Sequence, residues 1–423
     1  MLRSMYSGVS GLLSHQKKMD VIGNNIANVN TTAFKSSNVV FEEVFSQLVA
    51  TATQPTEEGR GGTNPQQIGL GVSLGNITTN MSKGSIQATD NPNDLAIDGE
   101  GFFVVTDGTG SYFTRAGSFN VDKDGNLVNG GGYKVMGWNR NPATGNIDIS
   151  KPTEPIDFSN IKMSAKSSTK ISITGNLSSE TLEYDSVNDE NGVLHNLTIY
   201  DSLGESHTLT FKFMRTSAAS DYTYELMESD DEMEITAGAT GGSISFTSSG
   251  KLDTGASSIP EVQITFSNGA EGITFPTGSI SFDAIGFTQY SNSTSIKSNQ
   301  DGYSSGELET LSISSDGQVI GQFTNGLQEH ISTLAVASFI NPNGLQKVGG
   351  NMFTTTWNSG DANIGMASTG DRGSVATSSL EMSNVDLATE FTEMIVTQRG
   401  FQANSRIISV SDSLLEELVN LKR

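Results

Sequence analysis

Residues 383–423 carry the pattern that most restricts what this chain can become. They read as one long helix. Ser383 followed by Asp386 has the spacing of a capping box, and Asp386 and Glu390 set negative charge at the positive end of the helix dipole. Lys422 and Arg423 set positive charge at the other end. Between them Leu387, Phe391, Met394, Phe401, Ile408, Leu415 and Val419 advance in steps of three and four. A second line, Ile407, Val410, Leu414, Leu418 and Leu421, widens the apolar face in the later turns. Gln398, Ser405 and Asp412 break the first line once per heptad. A seam of that kind belongs to a helix packed among other helices.

The opposite end has a matching pattern. Leu2, Met5, Val9, Leu12, Met19 and Ile26 follow three-four steps, beside small residues Ser7, Gly11 and Ser14 that admit a close backbone. Gly8, Gly11 and Gly23 each cost a lone helix roughly 1 kcal/mol relative to Ala. The segment is therefore expected to be helical only when something packs on it. It stops in the Asn- and Thr-rich run 24–32.

Composition removes several function classes. The chain of 423 residues carries 47 acidic against 24 basic side chains, a net charge of −23. Clustered base is absent, so neither nucleic acid nor an anionic membrane surface is an expected partner. There are no cysteines, which excludes disulfides and thiolate chemistry. No apolar run has the roughly 20 residues needed to insert across a bilayer. The N-terminus lacks a basic head, apolar stretch and small-residue cleavage site, so no cleaved signal peptide is expected.

Between the ends the texture is β. Residues 53–75 are Gly-, Thr- and Pro-bearing and read as extended linker. From Leu95 short strands alternate with turns such as Asp107-Gly-Thr-Gly110 and Asp122-Lys-Asp-Gly125. Residues 150–290 hold further strands, at 170–174, 194–200, 207–214, 222–227, 243–247 and 262–266, in the spacing of a sandwich or barrel. The expected fold is mainly β with two terminal α-helices, its nested β domains closed by a coiled-coil-like pair of N- and C-terminal helices. Four regions follow: 1–29 with 383–423 as a helical domain, 30–85 with 357–382 as linker, 86–149 with 291–356 as an inner β domain, and 150–290 as an inserted outer one.

Patterns that could carry chemistry are weak. Asp122-Lys-Asp124-Gly125-Asn126 starts like a calcium loop, but its Gly comes two places early and its twelfth position is Tyr133, so a hairpin turn is the better reading. His15, His195, His207 and His330 have no ligand spacing. Gly71-Val-Ser-Leu-Gly75 spells a nucleophile elbow, yet Asn76-Ile-Thr-Thr-Asn80 is a poor helix start. No catalytic, cofactor-binding or metal-binding set assembles, and no enzyme is expected.

Asn24-Asn-Ile-Ala-Asn-Val-Asn-Thr-Thr-Ala-Phe-Lys35 resembles the N-terminal signature of the bacterial flagellar rod and hook protein family. Ser383-Asn-Val-Asp-Leu387 and Thr397-Gln-Arg-Gly-Phe-Gln-Ala-Asn-Ser-Arg406 resemble its C-terminal signature. On these motifs the signature residues are Asn24, Asn25, Ile26, Ala27, Asn28, Asn30, Ser383, Asn384, Val385, Asp386, Gln398, Arg399, Asn404 and Arg406. Residues 94–103 and Thr114-Arg-Ala-Gly117 resemble the family's shared β domain, while 200–204, 300–306 and Asn341-Pro-Asn-Gly-Leu345 resemble its hook branch. The family pattern has Gly where this chain has Ala33.

The resemblance implies a structural subunit that polymerises with itself into a helical tube, a flexible universal joint between rod and filament. It also implies contacts with rod, hook-cap and hook–filament junction proteins, and export by the flagellar type III apparatus to the outside of the cell. Leu2, Met5, Val9, Leu12, Phe391, Met394, Ile408 and Leu415 are the expected assembly contacts. Gln398, Gln402 and Asn404 are assigned to a lumen-facing side. The alternatives are a distal rod protein, expected to be shorter, and a β-rich secreted adhesin that binds through 150–290.

Overall fold

The computed structural model describes residues 2–421 apart from 55–58, 60, 142–143, 160, 189, 219, 229–231, 239, 256 and 258. The chain is mainly β with one helix at each end, and it divides into two compact units. Residues 1–159, 311–320 and 330–423 make the first, and 160–310 with 321–329 the second.

In the first unit helix α1 spans Leu2–Ala27 and helix α2 spans Leu387–Leu421. The residues after α1 run into an antiparallel ribbon. Strand β1 (Ser37–Glu43) pairs with β4 (Val72–Thr79), and β2 (Ser46–Ala50) pairs with β3 (Gln66–Gly69). Every residue of β2 and β3 is exposed. The β domain beyond it grows from the hairpin of Phe102–Thr106 and Ser111–Thr114. Its turn is held by Asp107, whose Oδ1 accepts from Thr109 N at 2.9 Å and Thr109 Oγ1 at 2.7 Å. Those donors draw the carboxyl down to about 2. Lys134–Asn139 and Val336–Ser338 flank the hairpin on one side and Met352–Thr354 on the other. Phe102, Phe113, Trp138, Phe339, Leu345 and Phe353 close its core.

The second unit is an antiparallel meander with two smaller sheets. Val193–Tyr200, Ser206–Arg215, Asp221–Glu228 and Thr240–Ser245 follow in order. Ile171–Asn176 lies between Ile280–Thr288 and Ser295–Gln300, parallel to the first and antiparallel to the second. A third sheet joins Met233–Ala237, Val262–Phe266 and Ile273–Phe275. Alternation along Asp221–Glu228 turns Tyr222, Tyr224 and Leu226 inward against Phe211, Phe213, Phe282 and Phe287. These sheets stay open; no closed barrel occurs among the described residues.

The candidate chemical loops are structural turns. Asp122 Oδ1 accepts from Asp124 N at 2.9 Å and Asn126 N at 2.8 Å, so its carboxylate serves the hairpin. Sequence spacing does not show that Asp201, Glu205 and the buried His207 come together. Asn268 Nδ2 donates to Asp201 Oδ2 at 2.7 Å and Glu205 Oε2 at 2.9 Å, filling the space between the carboxylates with an amide.

Candidate assembly interface

The two terminal helices pair antiparallel. Gly8 lies against Ile408, Gly11 against Asn404 and His15 against Gly400. Lys18 reaches Glu393 at 2.9 Å, and Asn25 Nδ2 donates to Glu390 Oε1 at 2.9 Å. A Cβ on Gly11 would sit 2.7 Å from Asn404 Nδ2, and one on Gly400 would sit 2.7 Å from His15 Cε1. The glycines that weaken α1 as an isolated helix thus let α2 approach it. Gly23 faces open space, and nothing in the structure explains it.

The pairing face of α2 alternates between two residue types. Met394, Phe401, Ile408 and Leu415 are half-buried at one heptad position. Glu390, Thr397, Asn404 and Ser411 occupy the other, with Thr397 and Ser411 fully buried. The polar positions of the seam are therefore these four. Gln398, Ser405 and Asp412, the breaks seen in the sequence line, lie exposed off the seam. At Asn404 the reason is Gly11 of α1, which leaves room for the amide opposite it.

Capping also differs by one turn from the sequence pattern. α2 begins at Leu387, and Asp386 is its N-cap. Asp386 Oδ1 accepts from Ala388 N at 2.9 Å, and Oδ2 accepts from Thr389 Oγ1 at 2.9 Å. Ser383 Oγ accepts only from Val385 N, at 3.4 Å. Lys422 and Arg423 lie outside the described residues.

Two apolar stripes stay open on this pair. On α1, Tyr6, Val9 and Leu13 point away from α2. On α2, Val396, Ala403, Ile407, Val410 and Leu414 follow heptad steps about a third of a turn from the seam, and all are exposed. Of the expected assembly contacts, Val9 and Phe391 are exposed, whereas Met5, Leu12, Met394, Ile408 and Leu415 are half-buried. The Leu2 side chain lies outside the described residues. Gln398 and Gln402 are exposed, and Asn404 is held against Gly11 inside the pair.

The signature asparagines act as connectors. Asn25 is almost fully buried: its Nδ2 also donates to Ser37 O at 2.8 Å, and its Oδ1 accepts from Ser37 N at 3.0 Å. Asn384 accepts from Ser36 N at 2.8 Å and donates to Asn80 O at 2.9 Å, joining the start of α2 to the ribbon. Asn28 Nδ2 donates to Asn24 O at 2.9 Å and closes the last turn of α1. Ile26 and Val385 are half-buried, while Ala27, Asn30, Arg399 and Arg406 are exposed.

Beneath the helices lies a buried ionic cluster that sequence reasoning missed. Lys35 Nζ meets Glu381 Oε1 at 2.5 Å with both side chains fully enclosed, and Arg115 Nη1 lies 3.4 Å from Glu381 Oε2. Lys35 also donates to Ser82 O at 2.8 Å, and Gly84 N donates to Glu381 Oε1 at 2.8 Å. The Arg115 guanidinium stacks over Phe102 at 5.3 Å. Burial pulls the Lys35 ammonium below its ordinary value, and the Glu381 carboxylate acts against that pull. The available signal was that Lys35 and Arg115 both stand inside signature motifs of a chain with few charges.

Ala33 lies in the same knot. Its φ is 57°, its N donates to Glu381 O at 2.7 Å, and its methyl is buried. A left-handed residue costs roughly 1–2 kcal/mol with a Cβ and little as Gly, which gives a physical reason for the Gly of the family pattern. Ala33→Gly is expected to leave stability unchanged or raise it by up to about 1 kcal/mol, the relieved strain offsetting the lost methyl contact. Thermal melting of the variant checks this, and a loss above that size would show that the methyl outweighs the strain.

Four family models match the chain in order. Flagella basal body rod protein covers 5–35, the flagellar hook protein FlgE/F/G D1 domain 96–178, the flagellar basal body protein FlaE D2 domain 185–303, and the flagellar basal body rod FlgEFG protein C-terminal 376–421. The flagellar hook protein FlgE of Borreliella burgdorferi is 36% identical, with all of both chains aligned. That of Treponema pallidum is 34% identical, again with all of both chains aligned. This chain belongs to the flagellar hook protein family. The flagellar basal-body rod protein FlgG of Bacillus subtilis is also 33% identical over 100% of each chain. Length therefore does not separate hook from rod names here, contrary to the expectation of a shorter rod protein. Family membership sets aside the adhesin reading.

Proposed function

We propose that this chain is the structural subunit of a bacterial flagellar hook, a self-assembling helical tube that flexes as it passes torque from rod to filament. The observation that carries the reading is the pair of open apolar stripes on joined terminal helices. Monomeric proteins seldom leave that much contiguous apolar surface uncovered. Stripes on two different faces, Tyr6 to Leu13 and Val396 to Leu414, suit a head-to-tail contact that does not close, the kind that builds filaments.

In this reading residues 1–29 with 383–423 line the tube, and Gln398 and Gln402 face its lumen. Met5, Leu12, Met394, Ile408 and Leu415 hold the helix pair together, and Val9 and Phe391 meet neighbouring copies. The acidic β domains lie outward from the helices that line the tube. Export is by the flagellar type III apparatus, and the tube joins rod, cap and hook–filament junction proteins at its ends. The work is mechanical, not catalytic. The greater similarity to proteins named for the hook favours hook over distal rod.

Electron microscopy of the full-length chain beside a 30–382 form, in the same kosmotropic salt, tests the reading. The shorter form keeps Lys35, Arg115 and Glu381. Tubes from the full-length chain alone are the expected result. Tubes from the 30–382 form would put the cohesive surface outside the helices and overturn the assignment.

A further inference from the structure

Ile340 is 95% exposed and Trp357 is 107% exposed, the two most open large apolar side chains among the described residues of the first unit. Both stand on one double loop, and the loop is stiff. Thr356 Oγ1 donates to Gly344 O at 2.6 Å, Asn341 Nδ2 to Asn358 O at 3.0 Å, and Thr356 N to the fully buried Ser359 Oγ at 2.9 Å. A Cβ on Gly344 would sit 2.8 Å from Ser359 N, so only Gly allows the two segments to close. Below them Leu345 and Phe353 root the loop in the core. Asn341-Pro-Asn-Gly-Leu345 thus builds a rigid mount for two bare apolar groups, with little ordering entropy left to lose on binding.

The surrounding charge indicates what covers them. From 331 to 360 the only charged residue is Lys347, in a chain that is 17% charged and carries −23. Copies of so acidic a protein repel wherever carboxylates meet, and they can approach on a stretch that carries none, as 331–360 does. We infer that Trp357, with Ile340, is an anchor of the contact between subunits, buried against a second copy of this chain when the tube forms. The inference rests on the tube-forming reading above and adds to it a contact on the β domain, separate from the apolar stripes of the helices. A buried aromatic on a rigid loop is the usual form of an interface hot spot.

The chain's other tryptophan, Trp138, is buried, so acrylamide quenching reports Trp357 directly in the unmodified protein. The expected result is a quenchable fraction that is large in monomer and small in tubes. Trp357→Ala is expected to raise the critical concentration for assembly roughly tenfold or more, as hot-spot truncations do. Val187→Ala, at an 89% exposed site of the second unit, is expected to change it little. Tubes in which Trp357 stays open to quencher overturn the anchor and leave the tube reading standing, with the loop free for a different protein. Equal effects of the two substitutions also overturn it. A wild-type chain that forms no tubes overturns the tube reading, and the anchor falls with it.

Discussion

Replacing Glu381 by Ala is expected to cost about 3–5 kcal/mol. The carboxylate is shared by Lys35 at 2.5 Å and Arg115 at 3.4 Å, and it accepts from Gly84 N at 2.8 Å. Removing it leaves one ammonium fully enclosed, one guanidinium almost so, and a backbone donor with no acceptor. None of these can turn to water without opening the knot. Glu381→Gln keeps the shape and one acceptor but not the charge, so an intermediate loss is expected. Replacing Lys35 and Arg115 by Met together with Glu381→Leu is expected to recover most of the stability. Apolar side chains of similar volume often replace a buried ion group at no net cost. Urea unfolding of the variants checks the set. A loss below about 1 kcal/mol for Glu381→Ala would mean that water reaches the site and the cluster contributes little.

The cluster joins three segments distant in sequence. Lys35 follows α1, Arg115 closes a hairpin of the β domain, and Glu381 precedes α2. With Asn25 and Asn384 it fixes how both helices leave the β domain. Glu381→Ala is therefore expected to expose the peptide bond after Lys35 to trypsin before the hairpins open.

What could be read from the sequence followed from local periodicity. The two terminal helices, Val262–Phe266 and the Asp201 turn all rest on repeats of two or 3.6 residues and on turn chemistry, although α2 starts at Leu387, one turn past the expected cap. The seam was only half legible. An apolar count finds Met394, Phe401, Ile408 and Leu415, but not Thr397 and Ser411, which are buried, or Asn404, which lies against Gly11 of α1. That fact belongs to the pair and not to α2. The ionic cluster was illegible for a similar reason. Lys35, Arg115 and Glu381 are joined by hydrogen bonds across as many as 346 positions, and no local pattern encodes such a contact.

The stripe on α2 gives the sharper test of function. Val410 is 59% exposed, so Val410→Asp places its carboxylate in water in the monomer, and the fold is expected to keep its stability within about 0.5 kcal/mol. In a tube the same carboxylate would have to enter an apolar contact without a partner, which costs several kcal/mol at each of many repeated sites. Assembly is therefore expected to fail outright while the circular dichroism and melting of the monomer stay unchanged. Ser409→Asp, one residue away and on the polar side, serves as the control and is expected to assemble. Sedimentation in polymerising salt separates the two. If Val410→Asp forms tubes as readily as Ser409→Asp, the stripe faces solvent in the polymer, and Tyr6 to Leu13 on α1 would have to carry the contact alone.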